Sequence, residues 1–236
     1  MPKLSVLIPV YNEKQTILTL IDQVKAVDLP IDKEILVADD CSTDGTREML
    51  RELSTDSELK VHFMARNVGR GGAIKHLWSH LTGDIVVHQD ADLEYDPTEY
   101  VQLLQPILDD RADVVFGSRF KGRIEGMMAL NNLGNRCMSL TARLLYGLNV
   151  SDLMTCYKMY RASLRDGLNV RANGFDFEAE FTARLVQRGA RFAEVPISFA
   201  GRTFDEGKKI RAMDAVYVMQ KLFGCKFRKG AGDGRS

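Results

Sequence analysis

Ile85-Val-Val-His-Gln-Asp-Ala-Asp-Leu-Glu94 is the stretch on which both the architecture and the chemistry of this chain depend. Its three leading β-branched residues predict a buried strand. Three acidic side chains are costly to bury, so the strand must end as the acids begin. Because alternate residues of an extended chain point to the same side, we expect Asp90, Asp92 and Glu94 to project together from the end of the strand.

Oxygen ligands gathered in this way suit Mg²⁺ or Mn²⁺, which commonly bridges to substrate phosphates. The alternative is a solvated acidic turn before Pro97, because a short motif is weak evidence when it stands alone. The surrounding sequence decides between the two interpretations.

Apolar runs and helical spacing alternate along the chain. In the first half, strands are predicted at 4–10, 34–38, 61–65, 84–88 and 113–117, and helices at 13–27, 46–53, 73–81 and 97–108. This alternation implies βαβ units and a parallel sheet. The second half is less regular, with helices predicted at 130–146, 177–188 and 212–223 and strands at 157–160 and 191–195.

Polar clusters follow each predicted strand of the first half, and ligands bind outside the carboxyl ends of such strands. The clusters are Tyr11 with Asn12 and Glu13, Asp39 with Asp40, Arg66 with Asn67, Asp90 with Asp92 and Glu94, and Ser118 with Arg119. Five clusters at one edge exceed what turn chemistry explains. They favour a metal and ligand site over a solvated acidic turn.

The composition is that of one globular domain, or of one domain with a small appendage. The chain has 236 residues, of which 27% are charged and 45% hydrophobic, and its formal net charge is zero. No bulk field therefore favours nucleic acid. The four scattered cysteines form no CxxC and indicate free thiols in a reducing compartment. Met1-Pro2-Lys3 leads straight into a strand, so we expect no signal peptide, and no window reaches the ~18 apolar residues of a membrane span.

Seven segments, in order, resemble the dolichol- or polyprenyl-phosphate sugar transferase branch of glycosyltransferase family 2. They are SVLIPVYNE at 5–13, VADDCSTDGT at 37–46, RNVGRGGA at 66–73, DADLE at 90–94, GSRF at 117–120, SDLMTCYK at 151–158, and EVPIS at 194–198 leading into RTFDEGKK at 202–209. The resemblance covers nearly the whole chain. Cys41 departs from it, because the family usually has Gly or Asn at that position.

The resemblance implies a single α/β domain with the GT-A fold, a Rossmann-like mixed sheet flanked by helices. Residues 1–118 would form the nucleotide-sugar-binding half and 119–210 the acceptor-binding half. Residues 211–236 would add an amphipathic helix and a basic flexible tail.

The implied reaction transfers a sugar from a nucleotide diphosphate, and a bound Mg²⁺ or Mn²⁺ neutralises the leaving group. The metal-ligand positions are Asp92 with Asp90 or Glu94. The positions that match donor binding are Pro9, Tyr11, Glu13, Asp39, Arg70, Asp90 and Glu94. The positions that match catalytic residues are Asp92, Arg119, Arg202 and Lys208, and those that match acceptor-phosphate contacts are Arg119 and Arg136. Arginine suits these roles because it pairs with phosphate in a bidentate manner.

The acceptor is predicted from a difference between this sequence and the family's usual pattern. Family members that transfer to sugar hydroxyls often carry a Glu-Asp pair as base, and the corresponding stretch here, GFDFEAE at 174–180, lacks it. A phosphate acceptor is already an anion and needs no base. A polyprenyl phosphate is therefore favoured, with a hydroxyl acceptor served by Glu178 or Asp176 as the alternative. The favoured donor is GDP-mannose, and a UDP-sugar such as UDP-glucose is the other.

The helix at 212–223, with Lys221, Lys226, Arg228 and Lys229 nearby, could lie on an anionic membrane surface. A core helix followed by a basic tail is an equal alternative. The predicted location is cytoplasmic and peripheral at the inner face of the membrane, and a membrane-protein partner or a homodimer stays open.

Other interpretations fit less well. A nucleotidyltransferase would need a glycine- and lysine-rich loop after the first strand, where Tyr11, Asn12 and Glu13 stand. A non-catalytic binding module predicts damaged acids at 90 and 92, which are intact. His76 and His80 have i, i+4 spacing but lack the glutamate of a zinc-protease helix, so they are predicted to be ordinary helix-surface residues.

Overall fold

The computed structural model describes residues 2–53, 58–202 and 212–227. The strands are β1 Lys3–Val10, β2 Asp32–Asp39, β3 Leu59–Phe63, β4 Ile85–His88, β5 Val114–Ser118, β6 Ile124–Glu125, β7 Lys158–Arg161, β8 Phe192–Pro196 and β9 Phe199–Ala200. The helices are α1 Ile17–Ala26, α2 Thr46–Leu53, α3 Arg70–Trp78, α4 Tyr100–Leu108, α5 Ala129–Tyr146, α6 Phe177–Gln187 and α7 Ala212–Phe227.

Seven strands form one mixed sheet in the order β3-β2-β1-β4-β7-β5-β8. The first four strands are parallel, as the alternation predicts, and β8 is parallel to β5. Strand β7 comes from the second half of the chain and lies antiparallel between β4 and β5. The predicted fold class, a mixed α/β sheet flanked by helices, is confirmed.

The core lies on both faces of this sheet because side chains of a strand alternate between faces. In β1, the even-numbered residues from Leu4 to Val10 join a cluster with α1 and α4. Leu7 joins a second cluster with α3 and α6 on the other face. A third, smaller cluster joins α5, α6 and α7.

Helix α7 is divided between core and surface. Val218 and Leu222 are buried, whereas Tyr217, Phe223 and Phe227 are exposed. Lys221 does not face outward as an anion-binding group would, because it pairs with Asp176 at 3.2 Å and with Glu180 at 3.5 Å. Among the described residues, none of the helices combines the length and apolarity that crossing a bilayer requires.

The expectation that residues 90–94 continue as an extended chain is wrong. Strand β4 ends at His88, and residues 91–95 form turns and bends. Leu93 has a positive φ of 62°, which an extended strand does not allow. The acids therefore reach the sheet edge on a turn, and their side chains do not follow strand alternation.

Helix α3 begins at Arg70, three residues before the predicted start, because its glycines permit a close approach. Gly69 has a φ of 83°, and a Cβ there would lie 2.6 Å from the carbonyl oxygen of Asn173. A Cβ on Gly71 would lie 2.5 Å from that of Phe177. The same carbonyl accepts hydrogen bonds from the amides of Gly71 and Gly72 at 2.7 and 3.2 Å. The glycine loop thus packs the start of α3 against the segment that leads into α6.

Candidate active site

A cavity of about 770 Å³ opens at the carboxyl ends of the sheet strands. Each of the five polar clusters sends at least one side chain to its wall: Glu13, Asp40, Asn67, Asp92 and Arg119 are examples. The parallel sheet brings these segments to one edge although they are up to about a hundred residues apart in sequence.

The three acids after β4 all line this cavity, and each has an arginine partner. Asp90 accepts a hydrogen bond from Nε of Arg70 at 2.7 Å. Asp92 accepts one from Nη2 of Arg202 at 3.1 Å, and Glu94 accepts one from the backbone amide of Arg202 at 2.8 Å. The turn therefore presents its carboxylates to two different sides of the cavity.

Asp92 carries the clearest electrostatic signal. Burial, together with the negative charges of Asp90 and Glu94, raises its pKa to about 7, against the opposing charge of Arg202. A divalent cation would offset both the burial of this carboxylate and the repulsion from its two acidic neighbours. The donor set, all carboxylate oxygen, suits Mg²⁺ or Mn²⁺. In the described part of the chain, the carboxylate oxygens of these three acids do not all lie within 4.8 Å of one another. Joint binding of one ion by all three acids therefore needs side-chain rotation.

Arg202 lies between the acids and the first polar cluster. Its Nη1 and Nη2 donate to the two carboxylate oxygens of Glu13 at 2.9 and 3.2 Å, in addition to the bond with Asp92. This arginine thus joins the loop after β9 to the loop after β1. Lys208, predicted to act with it, lies outside the described residues.

Arg70, expected as a phosphate contact, is engaged within the protein. Its three side-chain nitrogens donate to Asp90, to Glu178 and to Sγ of Cys156, the last at 3.1 Å. The structure therefore uses Arg70 to hold Asp90 in place, and a phosphate contact would require it to leave these partners.

Beneath Arg70 lies a buried ion network that the sequence did not predict. Lys158 is fully buried and donates to Glu178 and to the carbonyl oxygens of Leu153 and Thr155 at 2.9 and 2.7 Å. Burial alone would raise the pKa of Glu178, but the positive charges of Lys158 and Arg70 lower it to about 2. A carboxylate this acidic is a poor general base near neutral pH, which counts against the hydroxyl-acceptor alternative.

Arg119 is held rigidly at the cavity wall. Its Nε and Nη2 each donate to Asp152 at 2.7 Å, and the backbone amide of Arg119 donates to the same carboxylate at 3.1 Å. The guanidinium lies over the ring of Phe199, 5.1 Å from its centroid. Nη1 takes no part in the bidentate pair. Asp152 is thus the positioning partner of Arg119.

Arg136 is not brought to this site. It is exposed on α5 and is absent from the cavity wall, its guanidinium lies 4.3 Å from the ring centroid of Phe120, and its Nε donates to Asn132. The resemblance placed an acceptor-phosphate contact at this position, but the helix turns the side chain onto a neighbouring ring.

The predicted donor-binding residues divide into two groups. Pro9, Tyr11 and Glu13 line the cavity. Asp39 does not: it is fully buried, accepts from the amide of Ser42 at 3.2 Å and lies 3.4 Å from Arg47. Its base-binding role stays a prediction.

Asp40, the neighbour of Asp39 in the second polar cluster, reaches the cavity and anchors the glycine loop. Its carboxylate accepts from the amides of Val68 and Gly69 at 2.7 and 2.8 Å. Asp44 makes an Asx turn, since it accepts from the amide of Thr46 at 3.0 Å.

One wall of the cavity is apolar, and the sequence analysis did not assign it to the site. It is formed by Met127, Leu130, Leu133, Met138 and Met154. Leu130 and Leu133, in the first turns of α5, are 70% and 60% exposed. The leucines at 130, 133, 140 and 144 could have indicated this apolar wall, because a helix with one buried face does not need so many apolar residues.

A mixed α/β sheet with an acid- and arginine-lined cavity at its carboxyl edge is the architecture of a GT-A-like transferase. The solved structure of glucosyl-3-phosphoglycerate synthase from Mycobacterium tuberculosis, in complex with Mn²⁺, uridine diphosphate and phosphoglyceric acid, matches this fold with a TM-score of 0.71. The match covers 98% of this chain and 81% of that chain at 23% sequence identity, so the likeness is one of fold. The same enzyme has been crystallised with Mg²⁺ and uridine diphosphate.

Residues 5–168 match Glycosyl transferase family 2, and the chain belongs to this family. It is 31% identical over 215 residues to an undecaprenyl-phosphate mannosyltransferase of Micrococcus luteus, covering 86% of this chain and 85% of the relative. It is 29% identical over 213 residues to a polyprenol monophosphomannose synthase of Mycolicibacterium smegmatis, covering 86% and 79%. The family resemblance seen in the sequence is confirmed.

Proposed function

We propose that this chain transfers a hexose, mannose from GDP-mannose in the first instance, to a polyprenyl or dolichyl phosphate with inversion at the sugar carbon. The observation that carries the proposal is the two-sided cavity, in which acids and arginines face an apolar wall formed by α5. A nucleotide sugar needs the first side and a lipid needs the second. The similarity to two polyprenyl-phosphate mannose transferases supports the same substrates.

The donor side is assigned to the acids and to Arg202. Asp92, with Asp90 or Glu94, would hold Mg²⁺ or Mn²⁺, which supplies positive charge to the departing nucleoside diphosphate. Arg202 lies within hydrogen-bond distance of Asp92, so its guanidinium is close enough to share the diphosphate with that ion. Lys208 is proposed to add charge from the segment that follows.

The acceptor phosphate is proposed to attack the anomeric carbon while the bond to the diphosphate breaks. An ionised phosphate oxygen needs no proton removed, which agrees with Glu178 being too weak a base to accept one, since Lys158 and Arg70 lower its pKa to about 2. Arg119 is oriented by Asp152 and offers Nη1 to an anion at the cavity wall. We assign it to the acceptor phosphate.

The first isoprene units are proposed to lie against Leu130 and Leu133. Burying apolar surface is worth about 25 cal/mol per Å², so two exposed leucines beside a charged cavity provide a reason for a lipid to bind there. The exposed Tyr217, Phe223 and Phe227 of α7 would assist a peripheral position at a membrane surface.

A donor and acceptor screen tests the proposal. GDP-mannose and UDP-glucose are each incubated with Mn²⁺ and either a polyprenyl phosphate or phosphoglycerate, and the released nucleoside diphosphate is measured. We expect release from GDP-mannose only when the polyprenyl phosphate is present. Release with phosphoglycerate alone would contradict the lipid acceptor, UDP-glucose as the better donor would replace mannose, and no release from either donor would favour a non-catalytic module.

Variants assign the roles. Asp92→Ala is expected to abolish transfer while the protein stays folded, and Arg202→Ala to lower kcat. Leu133→Asn is expected to raise KM for the lipid acceptor but not for the donor. Leu144→Asn is the matched control, because Leu144 is also exposed on the same helix but does not line the cavity. Equal effects of the two leucine variants would remove the apolar wall from the mechanism.

A further inference from the structure

Three of the four histidines in this chain meet at one place outside the cavity. His62 comes from β3, His76 from α3, and His80 from the turn that follows α3. One ring nitrogen of each lies within 4.8 Å of the other two. The ring centroids of His80 lie 4.2 Å from His62 and 4.7 Å from His76, so the three imidazoles form a tight group. The sequence-based prediction of ordinary surface residues missed His62, because its position in β3 cannot be inferred from the i, i+4 spacing.

The hydrogen bonds around the group leave nitrogen lone pairs available. Nδ1 of His80 lies 3.0 Å from the carbonyl oxygen of His76. The hydroxyl of Ser79 lies 3.2 Å from the same nitrogen. A carbonyl oxygen only accepts, so in the tautomer that uses this contact Nδ1 carries the proton and Nε2 keeps its lone pair. A ring held by a backbone carbonyl in this manner is the usual arrangement of a metal-binding histidine. Within the described part of the chain, the rings of His62 and His76 form no hydrogen bond.

Two of the three rings, those of His62 and His76, favour the neutral state that metal ligands require. Burial, helped by the neighbouring His80 and His76 and by Lys60, lowers the pKa of His62 to about 4. Burial and His80 lower the pKa of His76 as well. Metal ligands must be deprotonated imidazoles, and these two rings are neutral at pH 7. Lys60, the nearby cation, pairs with Glu34 at 2.8 Å.

We propose that His62, His76 and His80 form a binding site for a transition-metal ion of the Zn²⁺ class, with water in the fourth position. Three imidazoles suit zinc and its neighbours nickel, copper and cobalt, and they suit Mg²⁺ poorly. Tetrahedral Zn–N bonds of about 2.05 Å place ligand nitrogens about 3.4 Å apart. The three nitrogens lie within 4.8 Å of one another, so they need to close by at most about 1.4 Å, and half-exposed or exposed side chains reach that by χ rotation.

This site differs from the acidic one in place and in chemistry. His76 follows Arg70 by six residues on α3, which is roughly 9 Å further along the helix axis. β3 is an edge strand bonded only to β2 in the sheet. A metal held by β3 and by the end of α3 would cross-link the edge of the sheet to a helix on its face, and it would stabilise the folded state by mass action.

Metal titration of the full chain without a polyhistidine tag tests the site. Excess Mg²⁺ is included to occupy oxygen-ligand positions, and Zn²⁺ is titrated against a chromophoric chelator. We expect one equivalent of Zn²⁺ to bind and to raise Tm. His62→Ala, His76→Ala and His80→Ala should each weaken binding by about 100-fold or more, since even loss of a group that only supports a ligand costs about 10- to 100-fold.

Two further measurements keep the result specific. Co²⁺ should give visible absorption bands of tetrahedral nitrogen coordination, and these should vanish in His80→Ala. Cys137→Ser removes an exposed thiol elsewhere on α5 and should leave Zn²⁺ affinity unchanged. Equal Zn²⁺ affinity in wild type and in the histidine variants, or loss of binding in Cys137→Ser instead, would overturn the proposal. The Tm of each metal-free variant is also measured, so that a folding defect is recognised separately from a loss of metal binding.

Discussion

Replacing Asp92 by Asn should stabilise the metal-free protein while abolishing its activity. The ionised carboxylate of Asp92 is disfavoured in the folded state, where its pKa is about 7. The unfolded chain has an ordinary aspartate pKa of about 3.9, so at pH 7.5 ionisation costs the folded state about 4 kcal/mol more than the unfolded state. Asn removes that cost, but its amide has one acceptor oxygen where Asp92 accepts from both the backbone amide of Glu94 and Arg202, and losing one of these hydrogen bonds costs about 2 kcal/mol. The net expectation is a gain of about 2 kcal/mol.

The pH dependence of the unfolding free energy tests the direction of this effect a second time. A carboxyl group with a raised pKa is most favourable to the fold below its unfolded pKa, and this contribution is lost as the pH rises through 7. At pH 5 the ionisation cost is only about 1.5 kcal/mol, so the advantage of Asn should disappear there. We therefore expect the difference in unfolding free energy between variant and wild type to fall by about 2.5 kcal/mol between pH 7.5 and pH 5.

Urea denaturation in the presence of a chelator measures these differences, and thermal scans should show a Tm increase of roughly 4–8 °C at pH 7.5. Adding Mn²⁺ should stabilise the wild type and have less effect on the variant. Asp22→Asn on the exposed face of α1 is the matched control and should change neither quantity. A variant that is no more stable than wild type at pH 7.5, with a difference that does not vary with pH, would refute the electrostatic reasoning.

Three further predictions concern buried charges near the cavity. Lys158→Met should lower the unfolding free energy by about 3–5 kcal/mol, because it leaves the buried Glu178 with one cationic partner. Urea denaturation at pH 7.5 measures this loss, and an unchanged denaturation midpoint would contradict the proposed ion network. Asp152→Asn should cost about 3 kcal/mol in the same assay and raise KM for the acceptor phosphate, since Arg119 loses its bidentate partner. Burial lowers the pKa of His88 to about 3, so wild type should lose about 2 kcal/mol through this residue as the pH falls from 7.5 to 5. His88→Gln should lack that loss, and an identical pH profile would show that His88 is not its source.

The elements and the edge at which they converge were predictable because both follow from local rules. The alternation of β1 and the spacing of α1 are visible in the sequence, and parallel strands bring the residues after them to one side. The position of β7 was not predictable. Nothing in the hydrophobic pattern of a four-residue strand states which neighbours it takes in the sheet.

The ion pairs were the hardest part to predict. A basic residue in a phosphate-binding context was interpreted as a phosphate contact, but Arg70 binds Asp90 and Glu178, and Arg119 binds Asp152. These partners lie between 20 and 108 residues away in the sequence. Residue type gives the charge that a position can supply, whereas only the tertiary arrangement states which opposite charge is near.

Cys41 shows how a departure from a family's residue preference is related to backbone conformation. The family usually has Gly or Asn at this position. The structure gives Cys41 a φ of 67°, in the left-handed region that Gly and Asn adopt most easily. A residue preference of that kind reports backbone conformation, so the departure indicates local strain of about 1 kcal/mol and no change in chemistry.

The charges at the cavity explain why its acids and its arginines belong together. When all are ionised, Glu13, Asp90, Asp92 and Glu94 carry four negative charges. The guanidiniums of Arg70 and Arg202 contact the first three and carry two positive charges, and Glu94 accepts from the backbone amide of Arg202. Arg70 is moreover shared with Glu178. The balance among these six side chains is two negative charges, which is the charge of one divalent cation with opposite sign. Burial, together with the negative charges of Asp90 and Glu94, raises the pKa of Asp92, so part of this excess is felt at that carboxyl group. The same excess that destabilises the metal-free fold is therefore what prepares the site for a metal ion and a diphosphate.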